Sequence, residues 1–462
     1  MAQNVSVPDR GLVHLADRRR YGPLSSLAIV VAISALALGL RLAAIGIIGP
    51  DARIASYSES GIVAKNLVDG QGYTYDFYGL RTDQPLRSFM PPLYVGLIYA
   101  CLRWAHNPPL ALALVYAVLS SLICGAIYVI ALVLSRKRSA AVLAALAAAC
   151  YPVLILMVTG PESLILHSAV LLWAVAVSLM LPGRLHWGLA VLAGILWGLI
   201  ALGRPALLGF LPLLVWWLWL NRRDRSGWLR TSLVLVVMVI LVLLPWVVRN
   251  YRIFGQVVIS TNGGATFWNG NNPFTTGSGH DVYSERLDQF LGQPHDPEQP
   301  AIIQVYPYPM PADIQAEVAT VSELTLEREL YRAGLDFIHE HPRQWVVLVS
   351  QKLISFWWFR PRLGSAYEAS WTPYYKLTYV LLIALFIPGL AVSLKHRRRY
   401  SLLYLLFGYY TVTNVAFQVL TRYRWEIEPL FLVFATLFLS IVAERMYSAW
   451  RCPPGARLKA SP

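Results

Sequence analysis

Glu59 is the carboxylate of this chain best placed to take a proton from a hydroxyl group. It stands in Ile54-Ala-Ser-Tyr-Ser-Glu-Ser-Gly-Ile-Val-Ala64, at the start of a helix-like run that reaches Leu67. A carboxylate at the edge of a cavity can serve as a general base. It can equally cap its own helix or pair with an arginine, and its local sequence leaves both roles open. The polar stretch around it, Gly49 to Pro92, is rich in turn residues and mixed in charge. A few residues would join two membrane helices, and long connectors of this kind are often functional.

Other ionisable residues share its neighbourhood once the chain is laid across a membrane. Asp51, Asp69 and Glu162 are acidic; Arg204, Arg249, Arg252, Lys352, Arg360, Arg422 and Arg424 are basic. Ionisable groups at the membrane are costly and usually have partners or a task. Arg204 in Leu-Gly-Arg-Pro-Ala and Arg249 in Pro-Trp-Val-Val-Arg-Asn sit at the ends of apolar runs. Their guanidinium forks suit phosphate oxygens, though such arginines also snorkel to headgroups. Glu162, after Pro161, fits the first turn of a helix, where the dipole favours an acid. It could also orient an acceptor or hold a cation. In Arg422-Tyr-Arg-Trp-Glu-Ile-Glu-Pro429, two arginines and two acids form either an internally paired helix cap or a second phosphate contact.

The run Thr261-Asn-Gly-Gly-Ala-Thr-Phe-Trp-Asn-Gly-Asn-Asn-Pro273 opens backbone N–H groups and amides, Asn262 and Asn271 among them, toward sugar hydroxyls or phosphate. A plain loop turn is the alternative. Gly277-Ser-Gly279 is not a nucleotide loop, because no strand and helix are expected to frame it.

The elements that must position these residues follow from composition. The 462-residue chain is 56% hydrophobic and only 14% charged, with a mean hydropathy of +0.51. Soluble domains carry about 25% charged residues. Repeated apolar runs of about 20 residues make the chain an all-α polytopic membrane protein. Its net charge of +14 collects in blocks: Arg18-Arg19-Arg20, Arg136-Lys137-Arg138, Arg222-Arg223-Asp224-Arg225 and Lys395-His396-Arg397-Arg398-Arg399. Beside apolar runs, such blocks mark cytoplasmic loops and suit anionic lipid, so no nucleic-acid partner is expected. Cys101, Cys124, Cys150 and Cys452 are too scattered for a disulfide framework or a zinc site, and no metal-ligand cluster is evident.

Placing each block inside gives about ten spans with both termini cytoplasmic. Residues 1–23 form a basic tail. Residues 24–250 form an N-terminal transmembrane bundle that includes a first outer loop, 49–107. Residues 251–373 form a large outer region, 374–450 the C-terminal transmembrane helices, and 451–462 a second cytoplasmic tail. Pro92–Trp104 and Trp345–Phe359 are apolar but short; the first reads as interfacial, the second as re-entrant or interfacial around Lys352. Residues 312–339 read as a soluble amphipathic helix. No internal repeat is visible.

Taken in order, several short motifs resemble the GT-C class of integral-membrane glycosyltransferases. The resemblance is strongest to the branch of protein O-mannosyltransferases and lipid A aminoarabinose transferases. They are Glu59 with Ala64-Lys-Asn-Leu67 and Gly70-Gln-Gly72-Tyr73, Pro91-Pro-Leu-Tyr94, Tyr151-Pro152 with Pro161-Glu162, Gly203-Arg-Pro205, Pro245-Trp-Val-Val-Arg-Asn250, Asn262-Gly-Gly with Gly270-Asn-Asn272, and Arg422-Tyr-Arg424 with Glu428-Pro429. The resemblance implies a GT-C-like bundle with an outer loop domain, in the inner (plasma) membrane. It implies inverting transfer of a sugar from a polyprenyl-phosphate donor to an envelope lipid, glycan or protein acceptor on the outer face. The catalytic acid of that class lies in the first outer loop and is usually an aspartate. Here the aspartate position falls near Ser56, so Glu59 or Asp51 is the implied base. Arg204, Arg249 or Arg424 would stabilise the leaving phosphate, without metal or other cofactor. Glu162, Asn262, Asn271, Lys352 and Arg422 complete the expected substrate contacts. A lipid or sugar transporter or flippase, a polymerase using diphosphate-linked donors, and a noncatalytic scaffold are the competing readings.

Overall fold

The computed structural model describes residues 23–56, 58–76, 85–182, 187–221, 225–305, 309–317, 320–359 and 372–451. Most of the two tails, Arg18-Arg19-Arg20, Arg222-Arg223-Asp224, Pro307, Arg360 and Cys452 lie outside the described residues.

The long apolar runs fold largely as helix, and several helix ends have a local cause. Helix α1 (Pro23–Ile48) is followed by α2 (Glu59–Val68), whose first turn is capped by the Ser58 hydroxyl. The prolines at 91 and 92 start α3 (Pro92–Trp104), as the missing N–H costs nothing at a first helical turn. Asn107 caps α4 (Pro108–Ser135), its Oδ1 accepting from the Leu110 N–H at 3.1 Å. The apolar run over 140–158 breaks. Pro152 cannot continue a helix, so α5 (Arg138–Ala149) ends and α6 (Pro152–Leu156) starts at an angle of 49°. Arg41 stabilises the break from inside α1: fully buried, it donates Nη1 to the Ala149 carbonyl at 2.6 Å and Nη2 to that of Ala148 at 3.3 Å. The Ala148 carbonyl also accepts from the Tyr151 N–H at 3.3 Å, just past the helix end, and a cation suits a helix C-terminus.

The bundle continues through α7 (Leu164–Met180), α8 (Trp187–Gly203), α9 (Leu211–Asn221) and α10 (Arg225–Phe254). It ends with α16 (Thr372–Ser393), α17 (Arg397–Ala416) and α18 (Glu428–Arg451). Length and apolarity mark five segments as able to cross a membrane: Ser26–Ile48, Pro108–Ser135, Gly227–Phe254, Pro373–Ala416 and Glu428–Ser448. The bent α5–α6 pair makes a sixth, while Leu164–Met180, Trp187–Gly203 and Pro205–Asn221 are apolar but shorter. By length and apolarity the described residues thus reach six crossings, fewer than the ten or so expected. Small residues let the helices meet closely. The alanine face of α5, from Ala140 to Ala149, is buried among α4 and α18, and Gly194 and Gly198 of α8 lie directly on Leu235 and Val242 of α10. Exposed rows such as Leu229, Leu233, Ile240 and Leu244 give α10 an apolar outer surface suited to lipid.

Two ends of the bundle differ chemically. At one, Lys137 meets Glu444 at 2.7 Å, Arg398 donates to the Leu220 carbonyl at 2.6 Å, and Arg399 to that of Leu134 at 3.1 Å. The described parts of the basic blocks thus gather together. The opposite end collects the start of α7, the end of α8, the end of α17 and the start of α18.

The polar region after α10 is not wholly helical, which departs from the all-α expectation. It holds α11 (Gly263–Gly270), strands β1 (Thr275–Ser278) and β2 (Asp281–Tyr283), α12 (Ser284–Leu291), strand β3 (Ile302–Gln304), α13 (Ala312–Glu317), α14 (Glu323–Glu340) and α15 (Pro342–Trp357). The strands form one antiparallel sheet in the order β1-β2-β3. Gly277 therefore lies in β1 and Gly279 in the turn to β2. Strands of three or four residues are too short to show alternation in a sequence. The single amphipathic helix expected over 312–339 is two helices. Ser322 caps the second, accepting from the Thr325 N–H at 3.3 Å.

Candidate active site

A cavity of about 440 Å³ opens at the end of the bundle away from the basic blocks. The membrane-bundle elements that reach it do so at a terminus or a turn. Glu59 comes from the first turn of α2, Glu162 from the turn before α7, and His167 from the first turn of α7. Arg204 follows the end of α8, Asn262 precedes α11, and Tyr410 and Asn414 lie in the last turns of α17. Arg422, Tyr423 and Glu426 occupy the 3-10 turn Thr421–Glu426 before α18. Helix ends leave polar backbone unsatisfied, so this is where side-chain chemistry concentrates in an apolar bundle.

Four carboxylates and two guanidinium groups are found among the described lining residues. Arg422 Nη1 meets Glu162 Oε1 at 2.9 Å. Arg204 donates Nε and Nη2 to Glu426 Oε1 at 2.9 and 2.6 Å and stacks over the Tyr423 ring at 4.9 Å. Glu426 also sits 3.3 Å from His167 Nδ1 and accepts from the Tyr410 hydroxyl at 3.1 Å. Burial alone would raise the Glu426 carboxyl. The Arg204 charge and the hydrogen bonds from His167 and Arg204 outweigh it and hold the group at about 2. Arg204 is therefore oriented by a fixed anion, and its Nη1 makes no hydrogen bond among the described residues. Glu59 has no hydrogen-bond or ion-pair partner among them either.

Glu327 is the fourth carboxylate, and it comes from the polar helix α14 together with Tyr331. Burial and the neighbouring Glu323 push its carboxyl up to about 7 against a hydrogen bond from Gly264. Asn262-Gly-Gly explains how α14 comes so close. A Cβ on Gly264 would lie 2.2 Å from the Glu327 carbonyl oxygen, and one on Gly263 would lie 2.3 Å from the Tyr331 hydroxyl.

The remaining expected contacts lie elsewhere. Asp51 faces Arg53 through both carboxylate oxygens, the closest approach being 2.6 Å, and does not line the cavity. Arg249 stacks on Tyr73 and Trp246 at 5.0 and 4.6 Å and donates to the Arg87 carbonyl at 2.7 Å. Arg424 is fully buried between Glu428 at 2.7 Å, the Tyr375 hydroxyl at 2.7 Å and the carbonyls of Phe356 and Trp358. Buried Lys352 donates to Asn271 Oδ1 at 2.9 Å and to the carbonyls of Val415 and Phe417 at 3.1 and 2.6 Å. Arg249, Arg424, Lys352 and Asn271 thus tie elements together behind the cavity rather than line it. His167, Glu327, Tyr331 and Tyr410 line it without having been singled out. A signal existed for His167, the one ionisable residue in the apolar run Ser163–Leu181. No group of three or more His, Cys, Asp or Glu among the described residues could hold a metal ion.

No protein-family profile and no curated protein matches the chain. Solved structures do match in shape. The chain is similar to the oligosaccharyltransferase of Archaeoglobus fulgidus, solved tethered to an acceptor peptide containing the NVT sequon. That match has a TM-score of 0.50 and 16% identity, and covers 95% of this chain and 52% of that one. A second structure of that archaeal enzyme, AglB, in complex with an inhibitory peptide and a dolichol-phosphate, matches at a TM-score of 0.49 and 14% identity, covering 92% and 51%. ArnT from Cupriavidus metallidurans bound to undecaprenyl phosphate matches at 0.37 and 14%, covering 95% and 81%. The chain spans about half the length of the oligosaccharyltransferase. The likeness shows the fold alone: the chain shares the helical bundle of that oligosaccharyltransferase.

Proposed function

We propose that the chain is an inverting membrane glycosyltransferase of the outer membrane face. It takes a sugar from a polyprenyl-phosphate donor and passes it to an envelope lipid, glycan or protein acceptor. The observation that carries this reading is the composition of the cavity. A carboxylate without an ionic partner, Glu59, shares it with two arginines, one of them fixed by a buried acid and keeping an unbonded nitrogen.

In this reading the acceptor hydroxyl gives its proton to Glu59 as its oxygen bonds to the anomeric carbon. The bond from that carbon to the phosphate oxygen breaks, and the electron pair leaves with the polyprenyl phosphate. The donor phosphodiester carries one negative charge and the departing phosphate monoester carries two. Arg204 and Arg422 therefore hold the transition state more strongly than the ground state, which is what lowers a barrier. Glu162 and Glu426 keep both guanidiniums in place before the donor arrives. Glu59 is preferred over Asp51 as base because Asp51 is taken up by Arg53 outside the cavity.

The test is transfer from a radiolabelled polyprenyl-phosphate sugar by the purified chain in membrane vesicles. Label is expected to move to acceptor, and Glu59→Gln to abolish the movement while polyprenyl phosphate still binds. A transporter would move labelled lipid across the bilayer with its sugar–phosphate bond intact.

A further inference from the structure

Helix α14 carries Glu323, Glu327 and Tyr331 at intervals of four, so the three share one face. Glu323 fastens that face to the rest of the molecule. Its carboxylate accepts from the backbone N–H groups of Arg87 and Ser88 at 2.6 and 2.9 Å and from the Thr261 hydroxyl. One turn on, Gly264 lies directly against the backbone of Glu327. Another turn on, the Tyr331 ring packs beside Phe267 at 5.4 Å, with its hydroxyl next to Gly263. The same two residues, Glu327 and Tyr331, line the cavity, and the Tyr331 hydroxyl has no hydrogen-bond partner among the described residues. An anchored helix presenting a carboxyl and an unsatisfied hydroxyl one turn apart is a rigid polar edge, suited to binding.

The cavity has two kinds of wall. Residues 164–167, 203–207 and 410–417 belong to the ends of apolar helices, which a polyprenyl chain can follow. Glu327 and Tyr331 belong to a polar helix outside the bundle. We propose that Glu327 and Tyr331 contact the acceptor, hydrogen-bonding its polar groups so that the attacking hydroxyl is held toward Glu59. This assignment rests on the glycosyl-transfer reading above. Glu327 faces Glu323 and Tyr331 on its own helix and only neutral groups on α11, and burial with Glu323 pushes it up to about 7. Its charge therefore changes near neutral pH.

The experiment uses the full chain with Glu327→Gln, Glu327→Asp, Tyr331→Phe and, as a control on the same helix, Glu329→Gln. Two quantities are read: binding of undecaprenyl phosphate, and transfer of label from a polyprenyl-phosphate sugar to acceptors in native membrane extract. Glu327→Gln and Tyr331→Phe should raise the acceptor concentration for half-maximal transfer about tenfold, the effect of one lost hydrogen bond. Undecaprenyl phosphate binding should stay within about twofold of the parent, and Glu329→Gln should match it in both assays. Glu327→Gln should also erase the pH dependence of acceptor use near neutrality, and Glu327→Asp should recover part of the transfer. Unchanged acceptor use in Glu327→Gln and Tyr331→Phe overturns the assignment. So does an equal loss of undecaprenyl phosphate binding, which would place α14 on the donor. A parent chain that transfers no label overturns the glycosyl-transfer reading, and this assignment with it.

Discussion

Replacing Glu426 by Gln should make the protein less stable and yet bind polyprenyl phosphate more tightly. The side chain accepts from Arg204 twice, from Tyr410, and sits beside His167, all within 3.3 Å, and it is 1% exposed. Its carboxyl is held at about 2 against an ordinary value of 4.5. That difference corresponds to about 3 kcal/mol, within the range for breaking a buried pair. For a chain of this size the unfolding midpoint should fall by roughly 3 °C. The sign with pH follows from the lowered value. The carboxylate's contribution is complete above about 4.5 and is lost only as pH falls through about 2, so parent and variant should differ equally from about pH 5 to 8. Affinity moves the other way. Gln removes a negative charge about 7 Å from a phosphate held by Arg204, worth ~2 kcal/mol at an effective dielectric of about 20. Binding of undecaprenyl phosphate should tighten by tens of fold at low salt, and less at high salt. Thermal unfolding and lipid-binding titrations in nanodiscs read both effects. A variant that is destabilised but binds more weakly would refute this, because the loss of Arg204's orienting anion would then outweigh the charge removed.

Two further variants test the scaffold behind the site. Lys352→Met strands the Val415 and Phe417 carbonyls, and should cost about 3 kcal/mol in thermal unfolding while the folded fraction binds undecaprenyl phosphate as before; weakened binding at equal stability would make Lys352 a substrate contact. Gly264→Ala places a methyl 2.2 Å from the Glu327 carbonyl oxygen, and should lower stability by ~1–3 kcal/mol as α11 and α14 part. Transfer should fall with it, and an unchanged melting curve would contradict the close contact.

How much of this was legible beforehand depended on the range of the interactions. Apolar runs of span length report helices directly, since lipid leaves the backbone no other way to satisfy itself. The Pro152 break was legible in principle, from one proline in a run otherwise long enough to span. Glu59, Glu162, Arg204, Asn262 and Arg422 come together because each lies where an apolar run ends, and the alternation of runs puts those ends on one side. Arg424 and Arg249 lie at similar ends but turn away, and nothing local decides that. Arg424 finds Glu428 four residues on, a pairing the segment Arg422–Pro429 allowed for. Arg249 finds its two aromatic rings and a carbonyl 162 residues distant. Lys352 and Asn271 meet across 81 residues, which spacing cannot forecast. Glu327 was hidden differently. An amphipathic helix announces a buried face, but only the two glycines of α11 decide that Glu327 and Tyr331 lean into the cavity.

A paired comparison of Glu59→Gln with Asp51→Asn tests most directly whether Glu59 takes the acceptor's proton. Single-turnover transfer from a radiolabelled polyprenyl-phosphate sugar would be measured alongside undecaprenyl phosphate binding. The account predicts that Glu59→Gln binds the lipid normally and loses at least about 100-fold in transfer, the scale of a missing general base, while Asp51→Asn transfers like the parent. Full transfer by Glu59→Gln, or loss in Asp51→Asn alone, would contradict it.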